Sequence, residues 1–265
     1  MSDIHPTALV DSRAEIGTGT KIGPYSVIGS RVKLGANCLI KSHVVIEGNT
    51  QIGDGNTIFQ FASIGAIPQD LKYKGEDSIL EIGDKNIIRE YVTLQPGTEG
   101  GGMITKIGHG NLFMASAHVG HDTIIGDHNI FANLATLAGH VIIGDYTTLG
   151  GLSGVHQFTK VGSHAFVGGG SVVTSDVPPY CMAQGNRVKL IGINSIGLQR
   201  RGFSEEDISI IKKVYRKLIF SKKGTLAERK ARALEEAGDS RAAMLLIDFV
   251  ENSERGIADI RSKNS

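Results

Sequence analysis

Nine histidines occur in the chain, and seven of them fall between positions 109 and 164. One of these, His121, is followed directly by Asp122. A histidine beside a carboxylate suits general-base chemistry. Imidazole has an unperturbed pKa near ~6.5, so it accepts a proton at neutral pH, and a carboxylate orients the ring and stabilises the cation that forms. No serine or cysteine nucleophile accompanies the pair in a GxSxG motif, and neither an HExxH nor a phosphate-cradling Walker sequence is present. That favours direct transfer to a bound hydroxyl or amine over a covalent intermediate. Two other readings compete. Histidines gathered on one edge of a fold could hold zinc, and a lone histidine is more often structural or solvent-facing than catalytic.

Which side chains meet depends on the repeat that carries them. Stepping by six from Ile4 gives Val10, Ile16, Ile22, Ile28, Leu34, Ile40, Ile46, Ile52, Ile58 and Ile64. The phase resumes at Ile82, Ile88 and Leu94. A second register runs from Ile107 through Phe113, Val119, Ile125, Phe131 and Leu137, and continues without a miss to Val173. Six fits neither the 3.6 period of a helix nor plain strand alternation. It fits a β-helix of hexapeptides, each a short strand plus a turn. Three units close a triangular coil of eighteen residues. Coils stack at about 4.8 Å, so residues 4 to 178 make a prism on the order of 45–50 Å long. Glycine, Asp or Asn often follows the inward aliphatic residue, and these types tolerate left-handed corners. The 35 glycines find a use there.

Residues eighteen apart share a column. His121, Gly139 and Gln157 form one, and Asp122 and His140 form the next, with His156 beside Gln157. These side chains are expected to converge on one edge of three successive coils. The Gly139 N–H, one coil above His121, could approach a developing oxyanion. His128 and His164 also stack, two coils apart, and read as surface residues. Two stretches break the repeat. In 65–79 the inward positions would be Asp70 and Glu76, which predicts a projecting loop. The second, 95–106, is either a functional loop or a tolerated insertion.

After Pro178 and Pro179 the pattern changes. Helix starts are signalled by Ser204 with Asp207, Thr225 with Glu228, and Asp239-Ser240, and the last helix carries an apolar stripe of Met244, Leu245, Ile247, Phe249 and Val250. The chain therefore reads as a mainly β protein: a hexapeptide-repeat β-helix over 1–190, then an α-helical domain over 191–265.

Composition narrows the classes. Glycine without excess proline or a three-residue period is not collagen, and 40% hydrophobic residues exclude a disordered polymer. A net charge of +1 does not predict a nucleic-acid or membrane binder. Residues 200–232, however, hold eleven Lys or Arg against four Asp or Glu. These are either solvated helix faces or a dock for an acidic partner. Cys38 and Cys181 lie far apart without a CxxC, so two reduced thiols in the cytoplasm are expected. No run approaches the ~18 apolar residues of a membrane span, and no secretory signal is visible.

The chain carries, in this order, the motifs QDLKYKG at 69–75, AHVGHD at 117–122, LAGH at 137–140, VHQF at 155–158, DVPPY at 176–180, QGN at 184–186 and GLQRRGFS at 197–204. Together they resemble the UDP-N-acetylglucosamine 3-O-acyltransferases, which open lipid A synthesis in Gram-negative bacteria. The resemblance implies a left-handed parallel β-helix, an exception to the usual right-handed crossover. It implies a homotrimer with active sites between neighbouring prisms. It also implies transfer of an (R)-3-hydroxyacyl group from acyl carrier protein to the glucosamine 3-position, with no cofactor and no metal. By resemblance His121 is the general base, Asp122 its partner and Gly139 the oxyanion contact. Gln69, Asp70, Lys72, His118, His140, His156 and Gln157 match sugar-nucleotide contacts. Asn194, Arg200 and Arg201 match positions that engage phosphates or the phosphopantetheine arm, and Gly169 the position that limits acyl length. The chain departs from the better-known pattern at Arg187 and Gly120. The acceptor could also be a 3-amino sugar nucleotide. Outside this resemblance stand an acetyl-CoA-dependent acetyltransferase, a zinc-dependent hydratase and a non-catalytic scaffold.

Overall fold

The computed structural model describes residues 2–261; Met1 and residues 262–265, the outer ends of the two expected segments, lie outside the described residues. Most strands of the prism are two residues long, and in each the first residue faces out and the second faces in. Lys21–Ile22 is typical, with the lysine exposed and the isoleucine buried. The strands stack into three sheets of eleven, nine and eight members. We call these the first sheet (beginning at Asp3–Ile4), the second (beginning at Leu9–Val10) and the third (beginning at Glu15–Ile16). Pairing is parallel with an offset of eighteen, as in Lys21↔Leu39 and Ile22↔Ile40. Both inward registers of the hexad thus become one continuous core, with Phe113 stacked on Phe131 at 4.6 Å. Each fully buried aliphatic side chain of this column contributes about 1.5–3 kcal/mol, which no coil could gain alone.

Glycines and left-handed corners coincide only in part: Gly19, Gly55, Gly110 and Gly170 are left-handed corners, and most other corners are not glycine. The glycine after the inward aliphatic residue is needed for close stacking. A Cβ on Gly83 would lie 2.8 Å from the Gly108 carbonyl of the next coil. The left-handed residue stands two places later, and it usually carries a side chain. Tyr25, His43, Phe61 and Tyr91 fill this position on one corner, and His128, Tyr146, His164 and Tyr180 on another. Their rings stack coil upon coil, at 5.1 Å for Phe61 on Tyr91 and 5.0 Å for Tyr146 on His164. The expectation that Gly, Asp and Asn serve the left-handed corners holds at Gly19, Asn37, Gly55, Gly110, Asp122 and Gly170 and is corrected at the ring-bearing corners, where stacking offsets the conformational cost.

The repeat breaks are insertions at register jumps. Asn49–Ile52 pairs with Ile79–Ile82 thirty residues on, and Ile79–Ile82 with Ile104–Ile107 twenty-five residues on. A buried ladder keeps the coils aligned across both jumps. Asn56 Oδ1 accepts from the Asn86 N–H, Asn86 Oδ1 from Asn111, and Asn111 Oδ1 from Asn129, each at 2.8 Å. The extra residues are therefore expelled from the prism as loops.

The prism closes with an antiparallel pair, Cys181–Gln184 and Lys189–Ile193. Helices α1 (Ser195–Arg200), α2 (Glu205–Tyr215), α3 (Leu226–Ala237) and α4 (Arg241–Glu251) follow. The three expected starts are observed: Ser204 caps α2, Thr225 and Glu228 form a capping box on α3, and Ser240 caps α4. The buried face of α4 is Ala243, Leu246, Ile247 and Val250, whereas Leu245 points outward. This corrects the expected stripe, because helical spacing of three and four selects Leu246 and not its neighbour. The chain then returns to the prism. Asp176 exchanges backbone hydrogen bonds with Gly256 (3.0 Å) and Ala258 (2.8 Å), and its carboxylate accepts from the Ser253 hydroxyl at 2.7 Å.

Candidate active site

His121 and Asp122 lie at the corner between the His118–Val119 strand of the second sheet and the Ile124–Ile125 strand of the third. Asp122 is the left-handed residue of this corner, with φ +57°, and His140 and Phe158 repeat that conformation above it. The conformation turns the Asp122 carboxylate inward, where it is completely buried. Three donors meet it. The Thr98 N–H donates to Oδ1 at 2.8 Å, the Thr98 hydroxyl to Oδ2 at 2.5 Å, and the His121 Nδ1–H to Oδ2 at 2.7 Å. With Nδ1 used as a donor, His121 Nε2 is the free acceptor. It lies 3.9 Å from Asp70 Oδ2, which the first insertion brings over the corner.

Gly139 sits directly over the His121 ring: a Cβ there would lie 2.5 Å from Cε1 and 2.6 Å from Nε2. At the corner between the third and first sheets, the equivalent backbone N–H groups are capped by side chains of the next coil, as His109 N–H is by Asp127 at 2.7 Å. Among the described residues the Gly139 N–H has no such partner. His140 meets His121 edge to face at 5.0 Å and stacks on Phe158 at 4.4 Å. Burial lowers the His140 pKa; the Asp122 charge pulls it back up, while Lys72 adds to the lowering. His118, on the adjacent strand, bonds Thr93 Oγ1 at 2.6 Å; burial first and the neighbouring His121 second lower its pKa. His156 and Gln157 occupy the next coil and are exposed. In the first insertion the Gln69 N–H donates to Gln95 Oε1 at 3.2 Å, and the Lys72 N–H to Asp70 Oδ1 at 3.0 Å.

Four of the expected positions lie elsewhere in the chain. Asn194 caps α1 by accepting from the Gly197 N–H at 3.1 Å, and its amide donates to the His164 carbonyl at 3.1 Å. Arg200 and Arg201 line a groove of about 650 Å³ with Ile130, Phe166 and Met182 of the first sheet. The Arg201 guanidinium lies over the Tyr146 ring at 5.2 Å, at the third-to-first-sheet corner. Gly169 is exposed at the remaining corner, between the Phe166–Val167 and Val172–Val173 strands. Its missing Cβ faces open space except for the Gly151 carbonyl at 3.2 Å. One chain therefore spreads these groups over three corners.

Sequence reasoning missed Thr98 and Gly101. Both lie on the second insertion, twenty-four and twenty-one residues before Asp122, so no eighteen-residue column points to them. It also misjudged His164. That ring is half-buried, stacked on Tyr146 and Tyr180 and met edge-on by Phe203 at 5.0 Å. Burial, followed by the Arg201 charge, lowers its pKa to about 4. His128 is exposed as expected. In the basic stretch, Lys213 and Lys217 pair with Glu236 at 3.1 and 2.6 Å, and Lys230 pairs with Glu251. Part of that charge is thus spent on holding helices together.

The nearest donor atoms of His121, Asp122 and His140 lie within 4.8 Å of one another, a spacing compatible with a metal ion. Asp122 is already met by three donors, which suits an orienting carboxylate better than a ligating one. Arg187 lies with Asn186 and Lys189 in a small polar pocket at the end of the prism.

The comparisons with known proteins agree with the motifs. A family described as UDP-N-acetylglucosamine O-acyltransferase, domain 2, matches residues 176–258, and the bacterial transferase hexapeptide family matches residues 13–48. LpxA from Acinetobacter baumannii is 48% identical, with 96% of this chain and 99% of that one covered and a TM-score of 0.93. The UDP-N-acetylglucosamine O-acyltransferase of Moraxella catarrhalis is 44% identical over 96% and 99% of the two chains, with a TM-score of 0.93. The Arabidopsis UDP-N-acetylglucosamine acyltransferase is 37% identical over 97% and 100%, with a TM-score of 0.84. The fold is the left-handed parallel β-helix of these relatives. A hexapeptide prism of this length, with the same helical continuation and near-complete coverage on both sides, places the chain in the UDP-N-acetylglucosamine acyltransferase family.

Proposed function

We propose that this acyltransferase moves an (R)-3-hydroxyacyl group from acyl carrier protein to the 3-hydroxyl of UDP-N-acetylglucosamine, with His121 as general base. The observation that carries the reading is the 2.7 Å bond from His121 Nδ1 to a buried carboxylate, which leaves Nε2 as the acceptor. In the first step the sugar 3-hydroxyl gives its proton to Nε2 as its oxygen attacks the thioester carbonyl. The unpartnered Gly139 N–H stabilises the oxyanion. The intermediate then expels the phosphopantetheine thiolate, which takes the proton back from His121. Atoms balance without a covalent enzyme intermediate, a metal or a cofactor. Asp70, Lys72, Gln69, His118, His140, His156 and Gln157 surround the acceptor sugar nucleotide.

Asn194, Arg200, Arg201 and Gly169 stand at other corners of the same chain, so the site is built between prisms of a homotrimer. Head-to-tail contacts that close a ring suit this arrangement. Lys212, Arg216, Lys222 and Lys223, which have no carboxylate partner within 4.0 Å among the described residues, face the acidic carrier protein. The reaction belongs in the cytoplasm, where the free Cys38 and Cys181 thiols stay reduced. No helix is long and apolar enough to cross a membrane.

The test is a single incubation with UDP-N-acetylglucosamine, its 3-amino analogue, acetyl-CoA and a ladder of 3-hydroxyacyl carrier proteins, read by mass spectrometry. Ester formation from the carrier-protein donors is expected, and the His121→Ala variant is expected to be folded and inactive. Normal turnover by that variant overturns the mechanism. Stoichiometric zinc in the purified protein, with activity lost on chelation, overturns the metal-free reading.

A further inference from the structure

We infer that Thr98, on the second insertion, is the residue that holds Asp122 against His121 and so fixes the tautomer of the base. This rests on the general-base reading above, and it gives the second break in the repeat a chemical role.

The geometry is specific. Thr98 meets both oxygens of the carboxylate, through its N–H at 2.8 Å and its hydroxyl at 2.5 Å. The turn Glu99–Gly101 then folds over Asp122. It is closed by the Gly101 N–H (3.1 Å) and the Met103 N–H (2.9 Å), which both donate to the Thr98 carbonyl. Gly101 is so close that a Cβ there would overlap the Asp122 carboxyl carbon. The loop is thus a lid on one carboxylate, not a free insertion.

That carboxylate has a competing partner. His140 Nε2 lies 4.0 Å from the same Oδ2 that His121 Nδ1 bonds at 2.7 Å. Nothing in the His121–Asp122 pair alone prevents the carboxylate from turning toward His140. The Thr98 N–H and hydroxyl form a two-pronged grip, one on each oxygen, and oppose that rotation. Without the hydroxyl, Oδ2 is shared between two imidazoles, and His121 loses its fixed Nδ1–H form. A base with its proton on Nε2 cannot accept another there. Thr98 does not reach the reacting atoms, so it is a positioning residue.

The experiment uses the full chain with Thr98→Val, Thr98→Ala and Thr98→Ser. Valine keeps the shape and suits the extended backbone of this position (φ −134°, ψ 162°). Transfer is measured with UDP-N-acetylglucosamine and a 3-hydroxyacyl carrier protein, and the His121 ring nitrogens are followed by NMR of 15N-histidine-labelled protein. Thr98→Val and Thr98→Ala are expected to lower kcat by about ten- to a hundredfold, the scale of a misplaced catalytic group. KM should stay within about twofold, because uniform binding is untouched. The His121 signals should move from the Nδ1–H form toward a tautomer mixture, and Thr98→Ser should restore both readouts. Two folded hydroxyl-less variants with parental kcat and an unmixed Nδ1–H signal overturn the inference. If His121→Ala is inactive in the same assay, the general-base reading survives that failure; if His121→Ala is active, both fall. Should valine prevent folding, alanine and serine still decide between the outcomes.

Discussion

Gly139→Ala separates two roles that the glycine could play. The substitution leaves the Gly139 N–H in place, so the oxyanion donor is intact. It adds a methyl group 2.5 Å from Cε1, 2.6 Å from Nε2 and 3.0 Å from Nδ1 of His121. Ordinary contact begins near 3.4 Å, so the ring must retreat by about 1 Å. A retreat of that size takes the 2.7 Å bond to Asp122 beyond hydrogen-bonding range unless the carboxylate follows. Asp122 cannot follow freely, because Thr98 holds both of its oxygens. His140, edge-on at 5.0 Å, limits escape on its side. Misplacing a catalytic group by ~1 Å costs about 100-fold in rate, equivalent to about 2.7 kcal/mol in the barrier. The backbone at Gly139 is not left-handed, so alanine adds no backbone strain, and the loss of one hydrogen bond to the buried carboxylate should lower the melting temperature by about 3–10 °C without unfolding the prism. The assay is steady-state transfer from a 3-hydroxyacyl carrier protein to UDP-N-acetylglucosamine. We expect kcat to fall about 100-fold, with KM within about threefold. A folded Gly139→Ala protein with kcat within about threefold of the parent refutes the argument that ring placement sets the rate.

His164 should make stability pH-dependent. Its folded value is about 4 against 6.5 for the free group, so between these values the unfolded chain binds a proton that the folded chain refuses. Stability therefore falls as pH drops from about 7 toward 4. After discounting for partial exposure this amounts to about 1–2 kcal/mol. From pH 7 to pH 4.5 the urea midpoint of the parent should fall further than that of His164→Phe, and an unchanged difference between the two counts against the assignment. Gly169→Met should be accommodated, because only the Gly151 carbonyl stands within 3.4 Å of its added Cβ. The preferred acyl chain should shorten by several carbons with little change in melting temperature. An unaltered chain-length profile removes Gly169 from the acyl site.

The prism was legible because almost every hexapeptide buries its strand-end residue, and that position tolerates only apolar side chains; the second buried position, two residues earlier, also takes small polar groups such as Asn56 and Thr147 and gives no such signal. The eighteen-residue columns brought His121, Gly139, Asp122 and His140 together for the same reason: coils in register impose the neighbour list. Where the coil is interrupted this logic stops. Thr98 and Gly101 reach Asp122 from a loop whose path no period encodes. His164 read as a surface residue because its own column lacks a carboxylate. Its burial comes from Phe203, thirty-nine residues away on the link between α1 and α2. The stripe of α4 was misread by one residue, since a run as apolar as MLLIDFV does not itself say which face meets the core.

By itself, the sequence determined the repeat, the stacking partners, the helix starts and the family motifs, all of which follow from spacing along one chain. Tertiary structure alone decided where the insertions land, which imidazole Asp122 serves, and which corner each binding group occupies. Those outcomes depend on packing between segments of unlike register. They are set by excluded volume and by the need to satisfy a buried carboxylate, not by any local pattern of residues.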